Sequence, residues 1–421
     1  MPYIGKQPSK VPLTSDDIAD GTITNDDLAG SITSAKITSL VASKLTGALP
    51  AISGASLTSL PSDITKQSSD PTVSNPATPT LGDVIVNTTS GEMFTCTTVS
   101  SGANVWTNIG EGTGNIVPSY DIEYLVIAGG GSGAGRGTAG NSNDGGGGGG
   151  AGGYRNSYDT EASGGGNSSG ETPISTAIGG GIELTITVGA GGVTSNTTNT
   201  TSGDGANSSI IGTGISITSE GGGGGAVGTH QTLATDGADG GSGGGGAAGY
   251  GVTFSGGSGT ANQGFDGGSK TSTSYDQSSG GGGGASAVGG NSSSTQSGDG
   301  GAGLSSSITG SAVSRAGGGG GGDVSGTPVR GTGGTGGGGD GGIYNSTAAT
   351  AGATNKGAGG GAASGGPSST QAGANGGSGV VILRMPDASY SGTTTGSPTI
   401  DTSTIADETI LIFNGDGTYT T

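Results

Sequence analysis

The sequence predicts a mainly β and irregular chain. It is read as an elongated fibre with an N-terminal repeat shaft, a small β module and a glycine-rich domain of packed polyglycine II helices framed by β-strands. Two observations carry this. Of 421 residues, 104 are glycine and only 28% are hydrophobic, so no single side-chain core can serve the whole chain. Short β-branched runs such as "YDIEYLVIAG", "GIELTITVGAGG" and "GSGVVILRMP" sit at the borders of the glycine runs, where a random linker has no reason to place them. Gly- and Ser-rich composition without a strict period is otherwise the mark of disorder, and that is the alternative.

Residues 1–66 form the first regime. Ile18, Leu28, Ile37 and Leu45 recur at roughly nine-residue spacing, as do Ile23, Ile32, Leu40 and Leu49. One chain of such short units cannot bury its aliphatic stripe alone, whereas a parallel bundle of identical chains can. A homotrimer is therefore expected, with a flexible linker as the plainer alternative. The opening "MPYIGKQPSK" has no apolar run of the signal-peptide kind.

Residues 67–118 read as a small β module. A proline-rich lead-in precedes "DVIVNTTSGEMFTCTTV", two β-rich runs around Thr89, Ser90 and Gly91 that predict a hairpin. "NVWTNIG" adds a third strand. Trp106 is expected in the core of this module, with a ligand platform as the lesser alternative. Cys96 is expected to be an inert, buried thiol.

Residues 119–386 are the glycine-rich region. Collagen is excluded, because runs such as that at Gly145 break the Gly-X-Y period and there are only 14 prolines. Extended left-handed helices of three residues per turn remain. They make no internal hydrogen bonds, so every backbone group points sideways. Packed closely, such helices bond to one another, and a Cβ would hold them apart. Each net hydrogen bond contributes about 0.5–1.5 kcal/mol against about 1–2 kcal/mol for ordering a residue, so the array needs a β frame. The runs Ile122–Ile127, Ile182–Val188 and Val380–Leu383 supply it. Residues 387–421 are expected to close as a β-hairpin with "NGDG" as its turn.

Chemistry is sparse. The net charge of −19 argues against nucleic-acid binding, which needs clustered Lys and Arg. One cysteine and one histidine, His230, leave neither a disulfide nor a Cys/His zinc site. "GGSGG" around Ser242 lacks the strand and base of a nucleophile elbow. "GFDGGSKT" has Ser269 where a phosphate loop requires glycine before lysine. Asp236, Asp239, Asp299 and Asp340 are read as turn residues rather than metal ligands. No enzymatic activity, cofactor or metal is expected. Arg155 and Arg315 are expected to satisfy carbonyl groups.

The ordered combination "YLVIAGGGSGAG", "GGGGGGAGGYRNS", "ELTITVGAGG" and "GGSGVVILRMP" resembles the glycine-rich domain of bacteriophage tail-fibre and adhesin proteins, especially those of marine phages infecting cyanobacteria and related bacteria. The N-terminal repeat and the β module are similar to shaft segments of the same fibres. The resemblance implies polyglycine II packing and receptor binding through distal loops. It implies a virion location, contacts with other virion tail proteins, and a host surface glycan or outer-membrane protein as receptor. The aromatic residues expected in such loops are Tyr154, Tyr158, Tyr250, Phe254, Tyr275 and Tyr344, with stapling of turns onto the frame as their alternative role. A structural fibre or decoration protein without a receptor role is the alternative function. An ice-binding or matrix protein fits the N-terminal regimes poorly.

Overall fold

The computed structural model describes residues 64–109, 118–135, 145–167, 169–195, 201–228, 235–249, 251–271, 278–323, 329–365 and 372–421. The N-terminal repeat through residue 63 lies outside the described residues, and with it the expected trimer. The described residues hold seventeen strands, one 3-10 turn at Asp387–Ser389 and no α-helix.

The first four strands are β1 (Thr65–Gln67), β2 (Val84–Asn87), β3 (Met93–Thr98) and β4 (Val105–Asn108). They pair in chain order, β1 parallel to β2 and the others antiparallel. The β2–β3 turn is held by Asn87, whose Oδ1 accepts the N–H groups of Thr89 and Ser90, and Gly91 takes a positive φ of 81°. One face buries Ile85, Phe94, Cys96 and Trp106. Pro71 and Pro79 are buried as well, and Val73 O accepts the Asn104 N–H, so the proline-rich segment closes on the sheet. Trp106 is thus a core residue. Burial pushes the Cys96 thiol above its ordinary pKa, which keeps it protonated and unreactive.

Two further sheets make the frame. The first contains β5 (Ser119–Ile127), β6 (Tyr154–Asn156), β13 (Val380–Pro386), β15 (Thr399–Asp401) and β16 (Glu408–Phe413), in the order β15-β16-β13-β5-β6; β7 (Ile174–Ala177) pairs with the start of β5. The second is β10 (Ile215–Ser219), β9 (Ser208–Gly212), β8 (Glu183–Thr187), β17 (Gly417–Thr420) and β14 (Thr394–Thr395), in that order. A separate hairpin joins β11 (Leu304–Ser306) to β12 (Val313–Arg315).

Ile122, Tyr124, Val126, Leu383 and Leu411 of the first sheet pack against Leu184, Ile186, Ile210 and Tyr419 of the second. The opposite face of β5 and β13, with Leu125, Ile127, Val380 and Ile382, packs on Tyr154, Ala151, Ala285, Ile308 and Ala316. Both faces of these two strands are covered, which is why "YLVI" and "VVIL" are continuous apolar runs rather than alternating ones.

The C-terminal segment departs from expectation. β16 and β17 do not pair; they belong to different sheets, and Asn414–Asp416 crosses between them. Phe413 and Tyr419 then enter the same core from opposite sides, which a hairpin would forbid. Residues 387–421 are therefore part of the frame and not a terminal appendage.

The glycine runs lie outside these ladders and bond to one another through backbone groups. In the run 145–153, the partners rotate with a period of three. The N–H groups of Gly146, Gly149 and Gly152 go to Ala363, Gly360 and Gly357. Those of Gly147, Gly150 and Gly153 go to Ala226, Gly223 and Glu220, and those of Gly148 and Ala151 to Gly280 and Gly283. Its carbonyls accept from three other runs, through Ala134 and Gly131, Gly245 and Ser242, and Gly322 and Gly319. A Cβ added at Gly147 would overlap Gly245 O, and one at Gly319 would overlap Gly360 O. Close approach, not turn geometry, demands glycine there.

Runs at the rim have N–H groups with no neighbouring backbone, and aspartates supply the missing acceptor. Asp236, Asp239 and Asp299 accept from Ser255, Ser258 and Thr332 at 2.6–2.8 Å, and the glycine after each aspartate donates to the carbonyl of that same residue. Asp204, Asp266 and Asp340 accept from Gly224, Gly259 and Gly333 at 2.8 Å. Here the following glycine donates two residues earlier, to Gly222, Gly257 and Gly331. The first arrangement belongs to parallel neighbours and the second to antiparallel ones. Asp236, Asp239, Asp299 and Asp340 are thus rim clamps, not the turn residues expected, because a short side-chain oxygen reaches the outermost N–H; Asn207 and Asn291 serve Gly221 and Ser269 in the same way.

Candidate functional site

The direction of the runs defines two ends of the array. At one end the runs pass directly into β5, β6, β8, β9, β10 and β13. At the other, Ala134 pairs with Gly147, Gly147 with Ala226, Ala226 with Gly245, and Gly146 with Ala363 and Gly322. The runs that flank residues 136–144, 196–200, 229–234, 250, 272–277, 324–328 and 366–371 all stop on this second side. Those joining stretches lie outside the described residues, and so do Tyr250, Tyr275 and His230.

The other aromatic residues proposed for recognition are held in the structure. Tyr154 is fully buried in β6 and Phe254 is buried beside Gly249, whose added Cβ would meet its ring. Neither is a surface platform: β6 turns Tyr154 into the core against β5 and β13, and Phe254 pairs with Lys270 inside the array. Tyr158 is half-buried, with the Arg384 guanidinium 4.7 Å from its ring centre, a cation–π contact that staples the segment after β6 to β13. Tyr344 is half-buried in the short Ile343–Thr347 turn on the second side. Gly257, Gly267 and Gly268, which follow Phe254, also sit within packed runs rather than in a loop. Ser242 and Lys270, the residues of the two rejected motifs, are buried in the array.

One polar cleft lies at the opposite end, where the run 145–153 enters β6. Its floor is an ion-pair network. Arg155 Nε donates to both Glu171 oxygens at 3.0 Å and its Nη2 to Glu171 Oε2 at 2.5 Å. Glu171 also accepts from the Tyr124 hydroxyl at 2.9 Å and from Ser163 Oγ at 3.0 Å. Arg155 Nη1 reaches Thr218 O at 3.2 Å, the carbonyl role expected of it, but the carboxylate is its main partner. The hydrogen bond to Glu171 raises the Arg155 pKa further, so the guanidinium stays charged. Burial first, then the Glu171 charge, pushes the Tyr124 phenol well above its ordinary range. Arg315 is buried, its pKa lowered by desolvation, and its Nη1 donates to Val313 O. The sequence marks none of this cleft, whose residues come from four separated segments. Among the described residues no group of His, Cys, Asp and Glu is placed to hold a metal ion.

Fold and array together define a protein whose glycine-rich region packs as backbone against backbone on a β-sandwich frame. The chain belongs to a family described as the glycine-rich domain, whose model matches residues 107–386. No curated protein and no solved structure matches the chain.

Proposed function

We propose that the chain is a receptor-binding adhesin of a bacteriophage tail fibre, in which the glycine runs are polyglycine II helices displaying recognition loops at one end. The observation that carries this reading is the common end of the runs: the described residues that flank seven stretches outside the described residues all end on the same side of the array, away from the frame. Loops on a rigid scaffold are where binding concentrates. The three-residue rotation of hydrogen-bond partners supports the polyglycine II assignment, since that helix has three residues per turn. The N-terminal repeat then associates as a homotrimer on other virion tail proteins. Several copies engaging a host glycan or outer-membrane protein together multiply a weak contact.

The test replaces 136–144, 229–234 and 272–277, one at a time, with glycine-serine stretches of equal length. Adsorption of the purified chain to host cells should fall for at least one exchange, with the melting temperature unchanged. Undiminished adsorption by all three, or no adsorption by the parent, would leave a structural fibre or decoration protein as the better account.

A further inference from the structure

The polar cleft beside β6 stands apart from the loop end and carries a separate inference. Its volume is about 670 Å³, and it is lined by Tyr124, Arg155, Asn167, Glu171, Asn262 and Gln263 among others. That size suits a small ligand, for which sites of roughly 300–1,000 Å³ are usual. We propose that it binds a neutral saccharide, a hexose or short oligosaccharide, through pairs of adjacent hydroxyl groups.

Three features select this class. First, the floor is electrically balanced. Arg155 and Glu171 neutralise one another, so neither a cation nor an anion finds an unpaired charge, and the net charge of −19 disfavours anions further. Second, the cleft offers no apolar surface of consequence. Its one aromatic ring, Tyr124, is 2% exposed, which leaves nothing for a flat apolar ligand to cover. Third, the polar capacity is left over on the walls. Arg155 has five N–H donors, of which Glu171 and Thr218 engage only part. The Gln263 carbonyl accepts from the Glu220 N–H at 2.8 Å, while its amide N–H groups and the whole Asn262 side chain make no hydrogen bond among the described residues. An amide presents a donor and an acceptor on one plane, which matches two neighbouring hydroxyls on a sugar ring.

The lip that carries Asn262 is also pre-set. Thr260 O accepts the N–H groups of Gln263 and Gly264, and the Thr260 hydroxyl bonds Glu220 at 2.6 Å. Asn262 sits at φ 62°, in the left-handed region, where glycine would be relaxed. Asparagine enters this region more readily than most residues, as Asn345 and Asn355 also do, so the conformation fixes the lip at little cost. With no exposed ring to stack on the sugar, binding is expected in the millimolar range.

Asn262→Gly removes the amide and relieves the backbone; Asn167→Ala removes a second wall amide. Saturation-transfer NMR on the full chain would use glucose, galactose, N-acetylglucosamine and maltose, with glucuronate and a Gly-Ser-Gly peptide as counter-probes. At least one neutral sugar should bind the parent, and about tenfold more weakly the double variant. Asn262→Gly alone should weaken it in part, with a melting temperature equal to the parent's or higher. A parent that takes up none of the neutral sugars overturns the proposal. So do equal binding by parent and double variant, or binding of only glucuronate or the peptide. Cell adsorption in the same variants reports on the loop-end reading independently, because Asn167 and Asn262 lie at the other end of the runs.

Discussion

Ile382 and Gly376 lie six residues apart in one segment and are packed by opposite means. Ile382 fills the space between β13 and the elements packed behind it, and stacked layers of this kind stand about 10 Å apart so that side chains can interdigitate. At Gly376 there is no such space. The carbonyl of Gly130 stands where a Cβ would go, and the Gly376 N–H is bonded to Gly192 O. The sandwich derives its stability from apolar area, which tolerates exchanges of similar volume. The array derives it from backbone hydrogen bonds, at a separation that leaves no room for a Cβ at positions such as Gly376. Fragility to a methyl group thus separates the two regions more sharply than composition does.

The largest effect should come from forcing side chains into the array. Gly147→Val with Gly319→Val places Cβ atoms on the carbonyls of Gly245 and Gly360, which are backbone and cannot swing away. Loss of more than about 3 kcal/mol is expected, above the usual range for an overpacked core. Hydrogen exchange at Gly145–Gly150 should change from slow to fast. A double variant that melts like the parent would break the comparison.

In the sandwich, Ile382→Ala should cost about 2–5 kcal/mol, the usual toll of a cavity at a fully buried aliphatic. Ile382→Leu at the same place should cost under about 1.5 kcal/mol. That tolerance has no counterpart at Gly376. If Leu and Ala prove equally costly, the sandwich is as rigid as the array and the contrast fails.

High pH should strike the sandwich before the array, which has few titrating groups inside it. The phenols of Tyr120, Tyr124 and Tyr154 are all raised above their ordinary value of about 10, in each case chiefly by burial. Below about pH 10 folded and unfolded chains hold these protons equally, so stability is at its plateau. Above it the unfolded chain releases them first, and stability falls as pH rises toward the folded values. The check is the denaturation midpoint against pH with phenolate absorbance followed in parallel. A flat midpoint through pH 11 would contradict the burial of these rings.

The rim clamps should give a smaller effect. Asp239→Ala leaves the Ser258 N–H to water and should cost about 0.5–1.5 kcal/mol, with Asp239→Asn recovering much of it. The smallest effect is expected at Ser195, half-buried beside residues 196–200, where valine should change the melting temperature little. A large loss at Ser195 would show that the array's intolerance extends to its loop end.

Much of the frame can be read from the chain. β5, β8 and β13 are β-branched runs, the β9–β10 hairpin turns at Thr213–Gly214, and Trp106 marks the core of the small sheet. The long-range choices cannot be read. "NGDG" suits a hairpin or a crossing between sheets equally well, and only the common core of Phe413 and Tyr419 decides for the crossing. Tyr154 follows a glycine run and precedes a polar stretch, so nothing local distinguishes a loop tip from the buried start of β6. The aspartates did leave a trace: Asp204, Asp236, Asp239, Asp266, Asp299 and Asp340 are each followed by glycine, the pair the clamp uses. The cleft left none, since Tyr124, Arg155, Glu171 and Asn262 meet only in the fold.

The period of three in the hydrogen bonds of residues 145–153 gives the array something akin to a reading frame. Inserting one residue within a run turns every later residue by a third of a revolution and exchanges all of its partners at once. Inserting three restores each partner, displaced by one step along the neighbouring run. Insertions and deletions inside runs should therefore survive in triplets, whereas the stretches that join runs carry no such rule. Length variation in a lineage of these chains would then be an imprint of backbone geometry, quantised where the runs pack and continuous where they end.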